Sequence, residues 1–360
     1  MNPRIWASTF VIGFVATAPL LADTLKVPQQ FTTIQAAVDA AVAGDEVVIS
    51  KGHYAGDISI TGKTDVTVRG KGKVIINGSP FAAGFAPPGV IYMAGCTRTV
   101  LRGIEVRAAV DHQGIRIDGC TDCVLDRCRV KGCSNGFSSS LGTGLSLARC
   151  ETVDTFGDGF LVSVTSAEVA GCKVTRAGGA GFRISVDSGE VRGNTVNGAD
   201  QNGISLVGDG VVVVSDNRLS GIAQVAIDVD DHIVGYLSRN VVKGANQGIA
   251  AFGDALVVDG NSIGNVANQG IECFNPNLTT SRNRFNRCGR GILVGAFSDG
   301  CTHVENVVKR SGGNGLELEI GAADNLFRGN TVKQSRGFDL LDSSGSANGF
   351  IANSFGTVGP

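Results

Sequence analysis

Glycine followed by a large apolar residue returns along most of this 360-residue chain at intervals of 21 to 24 residues. The pair stands at Gly114-Ile115, Gly136-Phe137, Gly159-Phe160, Gly181-Phe182, Gly203-Ile204, Ala226-Ile227 (with alanine), Gly248-Ile249, Gly270-Ile271, Gly291-Ile292, Gly315-Leu316 and Gly337-Phe338. A second series keeps the same phase: Cys128, Cys150, Cys172, Asn194, Asn217, Asn240, Asn261, Asn283, Asn306, Asn330 and Asn353. A repeat of this length indicates a solenoid, in which each unit packs only against its neighbours.

The sequence within each repeat favours strands over helices. Short runs such as 181–185 (GFRIS), 203–207 (GISLV) and 315–319 (GLELE) alternate in the two-residue period of a half-buried strand. Gly, Asn, Asp and Ser separate these runs, as tight turns require. Each coil is therefore predicted to hold three short strands, and each Asn is expected to bond the Asn one coil away. The repeating frame of a leucine-rich repeat is absent.

The N-terminal segment adds an entry signal: an amphipathic run over residues 33–43, then Gly44-Asp45, a strand, and Gly52-His53-Tyr54. With the repeat, this resembles the right-handed parallel β-helix of the pectin lyase-like superfamily. The resemblance implies an all-β, right-handed, single-stranded parallel β-helix (solenoid) of about 12 coils with an N-terminal capping helix. The helix is predicted over 33–43, with an N-cap at Thr33 and an end at Gly44. Its buried face is predicted to be Ile34, Ala37, Val38, Ala41 and Val42.

The N-terminal segment and the net charge bear on the location of the protein and on its partners. Residues 1–22 combine Arg4 with a short apolar run and predict a cleaved secretory signal, so the protein is expected to be secreted or periplasmic. No other stretch is apolar enough to cross a bilayer, and residues 23–360 are expected to form one β-helix domain. The net charge of −2 argues against a dedicated nucleic-acid binder.

The repeat predicts which side chains fill the interior. Inward positions are expected at Ile115, Phe137, Phe160, Phe182, Ile204, Ile227, Ile249, Ile271 and Ile292, with Phe285 and Phe338 also in the core. Cys96 and Cys120 lie in equal register one coil apart and are predicted to form a disulfide. Cys128, Cys150 and Cys172 are expected to remain buried free thiols.

Outward positions of the Gly-apolar strands carry the candidate site. Residues 228–232 (DVDDH) crowd acidic groups mid-chain, and Arg183 and Glu272 should lie two coils away on either side, roughly 10 Å along the axis. The candidate catalytic residues are Arg183, Asp228, Asp230, Asp231 and His232, because crowded carboxylates raise a pKa or recruit a cation. The candidate metal ligands are Asp228, Asp230 and Glu272, which suit Ca²⁺.

Two functions follow from this arrangement. The first is an enzyme acting on or binding a polysaccharide, including a uronic-acid polymer, as a lyase, hydrolase or epimerase. The second is a non-catalytic exported binding or surface protein, for which the outward carboxylates only keep the sheet soluble. The family's sequence motifs for polygalacturonases and alginate epimerases are absent, so no catalytic residue carries over from the resemblance.

A second outward surface is basic. Around the Asn turn and the third strand lie Arg127, Arg129, Arg149, Lys173, Arg192, Arg218, Arg239, Arg282, Arg284 and Arg328. A row of cations at coil spacing could follow a polyanion, whereas solvated surface charge is the simpler interpretation.

Overall fold

The computed structural model describes residues 22–78, 89–107, 112–230 and 232–359. In these residues the backbone winds into a parallel β-solenoid of about 15 turns, slightly more than the dozen predicted. The fold class predicted from the repeat is therefore confirmed. Of the predicted signal segment only Ala22 is described. Among the described residues no helix has the length and apolar character needed to cross a membrane.

The strands stack in parallel into three faces that run the length of the solenoid. Face 1 holds the Gly-apolar strands: Ile58–Thr61, Ile91–Ala94, Ile115–Asp118, Phe137–Ser140, Phe160–Ser163, Phe182–Ser185, Ile204–Leu206, Leu316–Leu318, Leu340–Asp342 and Val358–Gly359. Face 2 holds Thr24–Val27, Val124–Asp126, Leu145–Ala148, Ser166–Ala170, Ser188–Arg192, Gly210–Ser215, Ile233–Ser238, Val257–Asp259, Thr279–Ser281, Thr302–Val304, Leu326–Arg328 and Gly349–Ile351. Face 3 holds Arg129–Lys131, Glu151–Thr155, Lys173–Ala177, Thr195–Ala199, Val307–Lys309, Thr331–Lys333 and Ser354–Phe355.

Longer strands turn a corner and belong to two faces. Glu46–Ala55, Thr67–Asn77 and Val100–Arg107 run from face 2 into face 3. Arg218–Val229, Val241–Ala251, Ser262–Cys273 and Arg284–Val294 run from face 3 into face 1. The second group therefore joins the two faces directly in the middle of the molecule.

The interior of face 1 is one continuous column of apolar side chains. Each predicted inward residue from Ile115 to Ile292 is at most 1% exposed and pairs in register with the next. Phe137, Phe160 and Phe182 stack with ring centroids 4.7 and 4.8 Å apart. The prediction for Phe338 is wrong, because Leu340 pairs with Leu316 and takes the inward position, leaving Phe338 39% exposed.

The repeated glycine reflects close approach between coils. A Cβ atom on Gly181 would lie 2.5 Å from the carbonyl oxygen of Gly203, and one on Gly270 would lie 2.6 Å from that of Gly291. Those distances are shorter than van der Waals contact, so a side chain would push neighbouring coils apart. The repeat thus marks the crowded entry to face 1.

The Asn series forms the predicted hydrogen-bonded ladder. Asn240 accepts bonds from the backbone N–H and the Nδ2 of Asn217, at 3.1 and 2.9 Å. Its own Nδ2 donates to Val214 O at 2.9 Å and to Asn261 Oδ1 at 3.0 Å. The side chain is fully buried, so these bonds replace every contact with water that its amide loses.

The capping helix is shorter than predicted. It spans Ile34–Ala40, and Thr33 caps it by accepting a bond from Ala36 N–H at 3.1 Å, as predicted. It ends before Gly44 because Ala41 is extended, and the Asp45 carboxylate accepts the Val42 N–H at 2.9 Å and closes the turn. The helix buries Ile34, Ala37 and Val38, and Ala41 is buried just beyond its end, whereas Val42 is 47% exposed, contrary to the prediction.

The cysteines are all free thiols in the described residues, so the predicted Cys96–Cys120 disulfide is wrong. Residues in register on adjacent coils repeat at about 4.8 Å with parallel Cβ vectors, whereas a disulfide needs Cβ atoms about 3.8 Å apart. Cys96 instead donates its S–H to Ile60 O at 3.1 Å. Cys128, Cys150 and Cys172 are buried free thiols, as predicted.

Candidate functional site

The outward side of face 1 places the predicted residues in one column. Arg183 pairs with Ser205, which pairs with Asp228. Asp228 pairs with Ala250, and Ala250 pairs with Glu272. Arg183 and Glu272 therefore lie two coils on either side of Asp228, roughly 10 Å away, in the register that the repeat predicts.

Asp228 is a partly buried carboxyl group held by a neighbouring amide. Asn202 Nδ2 donates to Asp228 Oδ2 at 2.7 Å from the turn that leads into the preceding strand. Burial raises the pKa of Asp228 above its ordinary value, and the nearby charge of Asp230 raises the pKa further. The Asn202 bond and the charge of Arg183 act in the opposite direction on this pKa, and the net direction is upward. Such a carboxyl group can hold a proton to donate.

Asp230 begins a second outward column that continues into two aromatic rings. Because Val229 pairs with Ala251, Asp230 lies beside Phe252 on the next coil. Phe252 and Phe274 are partly buried and stack with ring centroids 5.3 Å apart. A Cβ on Gly295 would lie 2.6 Å from the Phe274 ring, so glycine leaves room for this ring one coil further on. Carboxylates and an aromatic surface are thus adjacent, as in many ligand sites.

Glu272 is the second outward carboxyl group with a raised pKa. Burial is the main cause, and the charge of Glu319 raises the pKa further. Gln247 and Gln269 donate to its two oxygens from the turn side, Gln269 at 3.5 Å. Arg290, which counteracts the rise, is bound to Glu317 at 2.8 Å.

Arg183 and His232 are directed away from Asp228 toward other partners. The Arg183 guanidinium bonds Asp158 at 2.9 Å and Gln201 at 3.0 Å. His232 lies in the turn after the strand with a φ of 67°, and its Nδ1 is 3.6 Å from Asp209. The structure therefore leaves Arg183 within electrostatic range of Asp228 but assigns both side chains to other contacts. Asp231 lies outside the described residues.

The predicted calcium-ligand set is not assembled. Among the described residues no group of three or more His, Cys, Asp or Glu side chains has the arrangement needed to hold a metal ion. Ala250 intervenes between Asp228 and Glu272, and the resulting separation of roughly 10 Å exceeds what ligands of one Ca²⁺ allow.

Sequence reasoning missed the aromatic pair and the amides that support the carboxyl groups. The repeat could have predicted that Phe252 and Phe274 face outward, because they lie two residues beyond the outward Ala250 and Glu272. Asn202 and Gln247 each precede a repeat glycine, where a polar side chain can reach the next coil.

A separate groove of about 660 Å³ lies along the turn after face 1, lined by Leu141, Ser163, Ser185, Asp187 and Asp209 among others. Neither Asp228 nor Glu272 lines this groove. Its acidic side chains lie in the turn, whereas Asp228 and Glu272 are held on strands by neighbouring amides. We therefore place the candidate site on the strand face, where geometry is fixed, rather than in this groove.

Comparison with known families gives a decisive match. The family model described as "Right handed beta helix region" matches residues 57–219 and 180–332. The chain belongs to the right-handed β-helix family. No curated protein matches the sequence of this β-helix.

Solved structures resemble the β-helix along almost its whole length. The catalytic domain of GH87 alpha-1,3-glucanase in complex with nigerose has 12% identity and a TM-score of 0.60, covering 92% of this chain and 69% of that chain. The catalytic unit of the thermostable GH87 alpha-1,3-glucanase from Streptomyces thermodiastaticus strain HF3-3 has 14% identity and a TM-score of 0.58, covering 96% of this chain and 71% of that chain. The Azotobacter vinelandii mannuronan C-5 epimerase AlgE6 A-module has 13% identity and a TM-score of 0.56, covering 91% and 94%. At these identities the likeness shows a shared fold.

Proposed function

We propose that this β-helix is an exported hydrolase that cleaves a polysaccharide bound along the outward side of face 1. The observation that carries the proposal is Asp228, a strand-borne carboxyl group with a raised pKa, held by Asn202 and flanked by Asp230. The solved structures named above, which act on glucan and mannuronan, support a carbohydrate as the ligand class.

The chemistry follows from the roles that the two carboxyl groups can take. Asp228 donates its proton to the glycosidic oxygen as the bond to the anomeric carbon breaks. The Asp230 carboxylate removes a proton from the water that attacks that carbon. Alternate residues of a strand lie roughly 7 Å apart, within the carboxyl separation of inverting glycosidases and beyond that of retaining ones. The product is therefore expected to have inverted configuration.

The surroundings favour hydrolysis over elimination or epimerisation. Those two reactions need a side chain that removes the C5 proton of a uronate, and Arg183 and His232 are the two basic side chains of the predicted site. Arg183 is engaged by Asp158 and Gln201, and His232 lies near Asp209 in the turn. Phe252 and Phe274 supply an apolar surface against which a sugar ring can pack.

The test is turnover of a panel containing α-1,3-glucan, polymannuronate and polygalacturonate. Reducing ends of inverted configuration support hydrolysis, and Asp228→Asn should lower the rate about 10²- to 10⁴-fold. Asp216→Asn, on an exposed turn away from face 1, is the matched control and should retain full activity. Unsaturated ends, or epimerised sugars without cleavage, would contradict the proposed chemistry.

The same experiment distinguishes a non-catalytic binding protein from a hydrolase. It draws support from the short, uniform coils, which leave the strand face open rather than walled by long loops. Binding of one polymer without any product, weakened by Phe274→Ala, would replace hydrolysis with this second function.

A further inference from the structure

Six of the ten cations in the predicted row are bound to carboxylates, whereas Arg127, Arg218, Arg284 and Arg328 form no ion pair among the described residues. Several of these basic side chains have an acidic partner on a neighbouring coil. Arg149 contacts Asp126 at 2.5 Å, and Lys173 contacts Glu151 at 3.4 Å. Further along, Arg239 and Arg282 are likewise bound to aspartates. These residues cannot attract a polyanion without first releasing their partners.

Unpaired cations are concentrated on face 3 and the following turn, on a surface here called the basic face. It consists of Lys243, Arg284, Arg287, Lys309, Arg310 and Lys333, all exposed. None of the six forms an ion pair with a carboxylate among the described residues. They span five successive coils, a length of roughly 20 Å, and lie on four of them, since the coil of Ser262–Cys273 has Gly264 and Asn265 at these positions.

An arginine at this turn position is paired with a carboxylate on one coil and unpaired on the basic face. Arg176, Arg287 and Arg310 occupy the same position of the turn, each with a left-handed φ near 57°. Arg176 is bound to Asp154 on the preceding coil, which compensates its charge. Arg287 and Arg310 follow one another on adjacent coils with Asn265 and Gln334 on either side. Their like charges repel, and no carboxylate offsets that repulsion.

The shape and composition of the basic face indicate the ligand class. Two shallow grooves of about 600 and 590 Å³ adjoin there, the first lined by Lys243, Arg284 and Lys309 and the second by Arg287 and Arg310. Outward Ser262, Asn286 and Thr331 lie between the cations and can bond hydroxyl groups. A pyranose ring is about as long as the rise of one coil, so a uronate chain can present one carboxylate to each coil.

We propose that the basic face is a binding site for an anionic polysaccharide with one carboxylate per sugar, separate from the acidic site on face 1. Single-stranded nucleic acid fits less well, because the outward positions of face 3 from Arg218 to Lys333 carry no aromatic side chain on which bases could stack. The ion pair between Arg290 and Glu317 lies at the boundary between this surface and the acidic face.

The test compares binding of the full chain to polymannuronate, polygalacturonate and neutral dextran at two salt concentrations. Wild-type protein should bind both uronates, more weakly at the higher salt, and should not bind dextran. Arg287→Asn with Arg310→Asn should weaken binding roughly three- to tenfold, as expected for two exposed ion pairs. Asparagine already occupies this backbone position at Asn265, so the variant should fold.

Controls separate this site from a general charge effect and from the proposed hydrolysis. Arg127→Asn with Arg328→Gln removes the same charge elsewhere and should leave the affinity unchanged. An equal loss in both double variants, or equal binding to polyphosphate or to phosphatidylglycerol vesicles, would overturn the inference. Asp228→Asn with Asp230→Asn should also leave uronate binding intact. Loss of binding in that variant would place the polymer on face 1 and remove this inference while leaving the hydrolase proposal standing.

Discussion

Carboxyl groups at two positions of the same coil have opposite pKa shifts. On face 1, burial and the charge of Asp230 raise the pKa of Asp228. In the turn just before Asn217 of the Asn ladder, the hydrogen bond from Arg239 lowers the pKa of Asp216. Relative to the unfolded chain, folding favours the protonated form of Asp228 and the ionised form of Asp216. The two groups therefore contribute oppositely to the pH dependence of stability.

Asp228→Asn should stabilise the protein at neutral pH and have little effect in acid. The folded protein binds the Asp228 proton more tightly than the unfolded chain, so stability falls as pH rises from the ordinary value of 3.8 through the raised pKa. Asparagine removes this penalty and can still accept the bond from Asn202. We expect a gain of roughly 0.5 kcal/mol at pH 7, measured by urea unfolding, and no gain near pH 3.

Asp216→Asn is the opposite case and serves as the control. Its ion pair stabilises the folded state above the ordinary pKa of aspartate and is lost as pH falls through the lowered folded value. The variant should be less stable at pH 7 by roughly 0.5 kcal/mol and indistinguishable near pH 3. Equal pH dependence for both variants would contradict the assigned shifts.

The sequence anticipated the position of Asp228 but not the main cause of its pKa shift. Register alone placed Asp228, Ala250 and Glu272 in one column, because the period is nearly constant. The amides that bond the carboxyl groups come from the residues just before face 1, and the repeat does not encode the directions of their side chains. Asn202 is an example, because its place before a repeat glycine permits a bond to the next coil without requiring one.

Among structural elements, the Asn ladder is the feature that sequence predicted best. An identical residue at a fixed interval must stack, and an amide both donates and accepts, so the bonding pattern follows. Prediction failed where an element depends on one local contact. The helix ends at Ala40 because of the Asp45 carboxylate, and the last Gly-apolar pair is displaced because Leu340, two residues after Phe338, is inward.

Asn240→Ala should destabilise the protein by about 3 kcal/mol. The change removes the side-chain partner of Val214 O, of the Asn217 N–H and of one Nδ2 hydrogen of Asn217, while Asn261 Oδ1 keeps only the bond from the backbone N–H of residue 240. Asn240→Cys should cost less, because the Cys172 S–H donates to Leu147 O at 3.3 Å in the equivalent position. Urea unfolding measures both variants, and two values within about 0.5 kcal/mol of wild type would show that the ladder is dispensable.

At the scale of the whole molecule, the solenoid separates functions along and around its axis. Each coil contacts only its neighbours, so a surface is built by repeating one position over several coils. Face 1 carries carboxylates and aromatic rings mid-molecule, and the basic face carries cations over the adjoining coils. Neither surface needs long loops. The register of the repeat predicted Asp228 and Glu272 on face 1, whereas only Arg284 of the basic face belonged to the predicted row of cations.

The same one-dimensional construction predicts that core damage stays local. Phe160 and Phe327 are fully buried, and each stacks on aromatic rings of neighbouring coils. Replacing either by alanine should cost about 3–5 kcal/mol by leaving a cavity. Because coils far from the cavity keep all their contacts, hydrogen exchange should accelerate within a few coils of the substituted residue and remain at the wild-type rate at the other end. Phe297→Ala, at a side chain that is 75% exposed, is the control and should change neither stability nor exchange. Uniform acceleration along the chain in the Phe160→Ala variant would show that the solenoid opens as one cooperative unit, and the local-coupling argument would then be wrong.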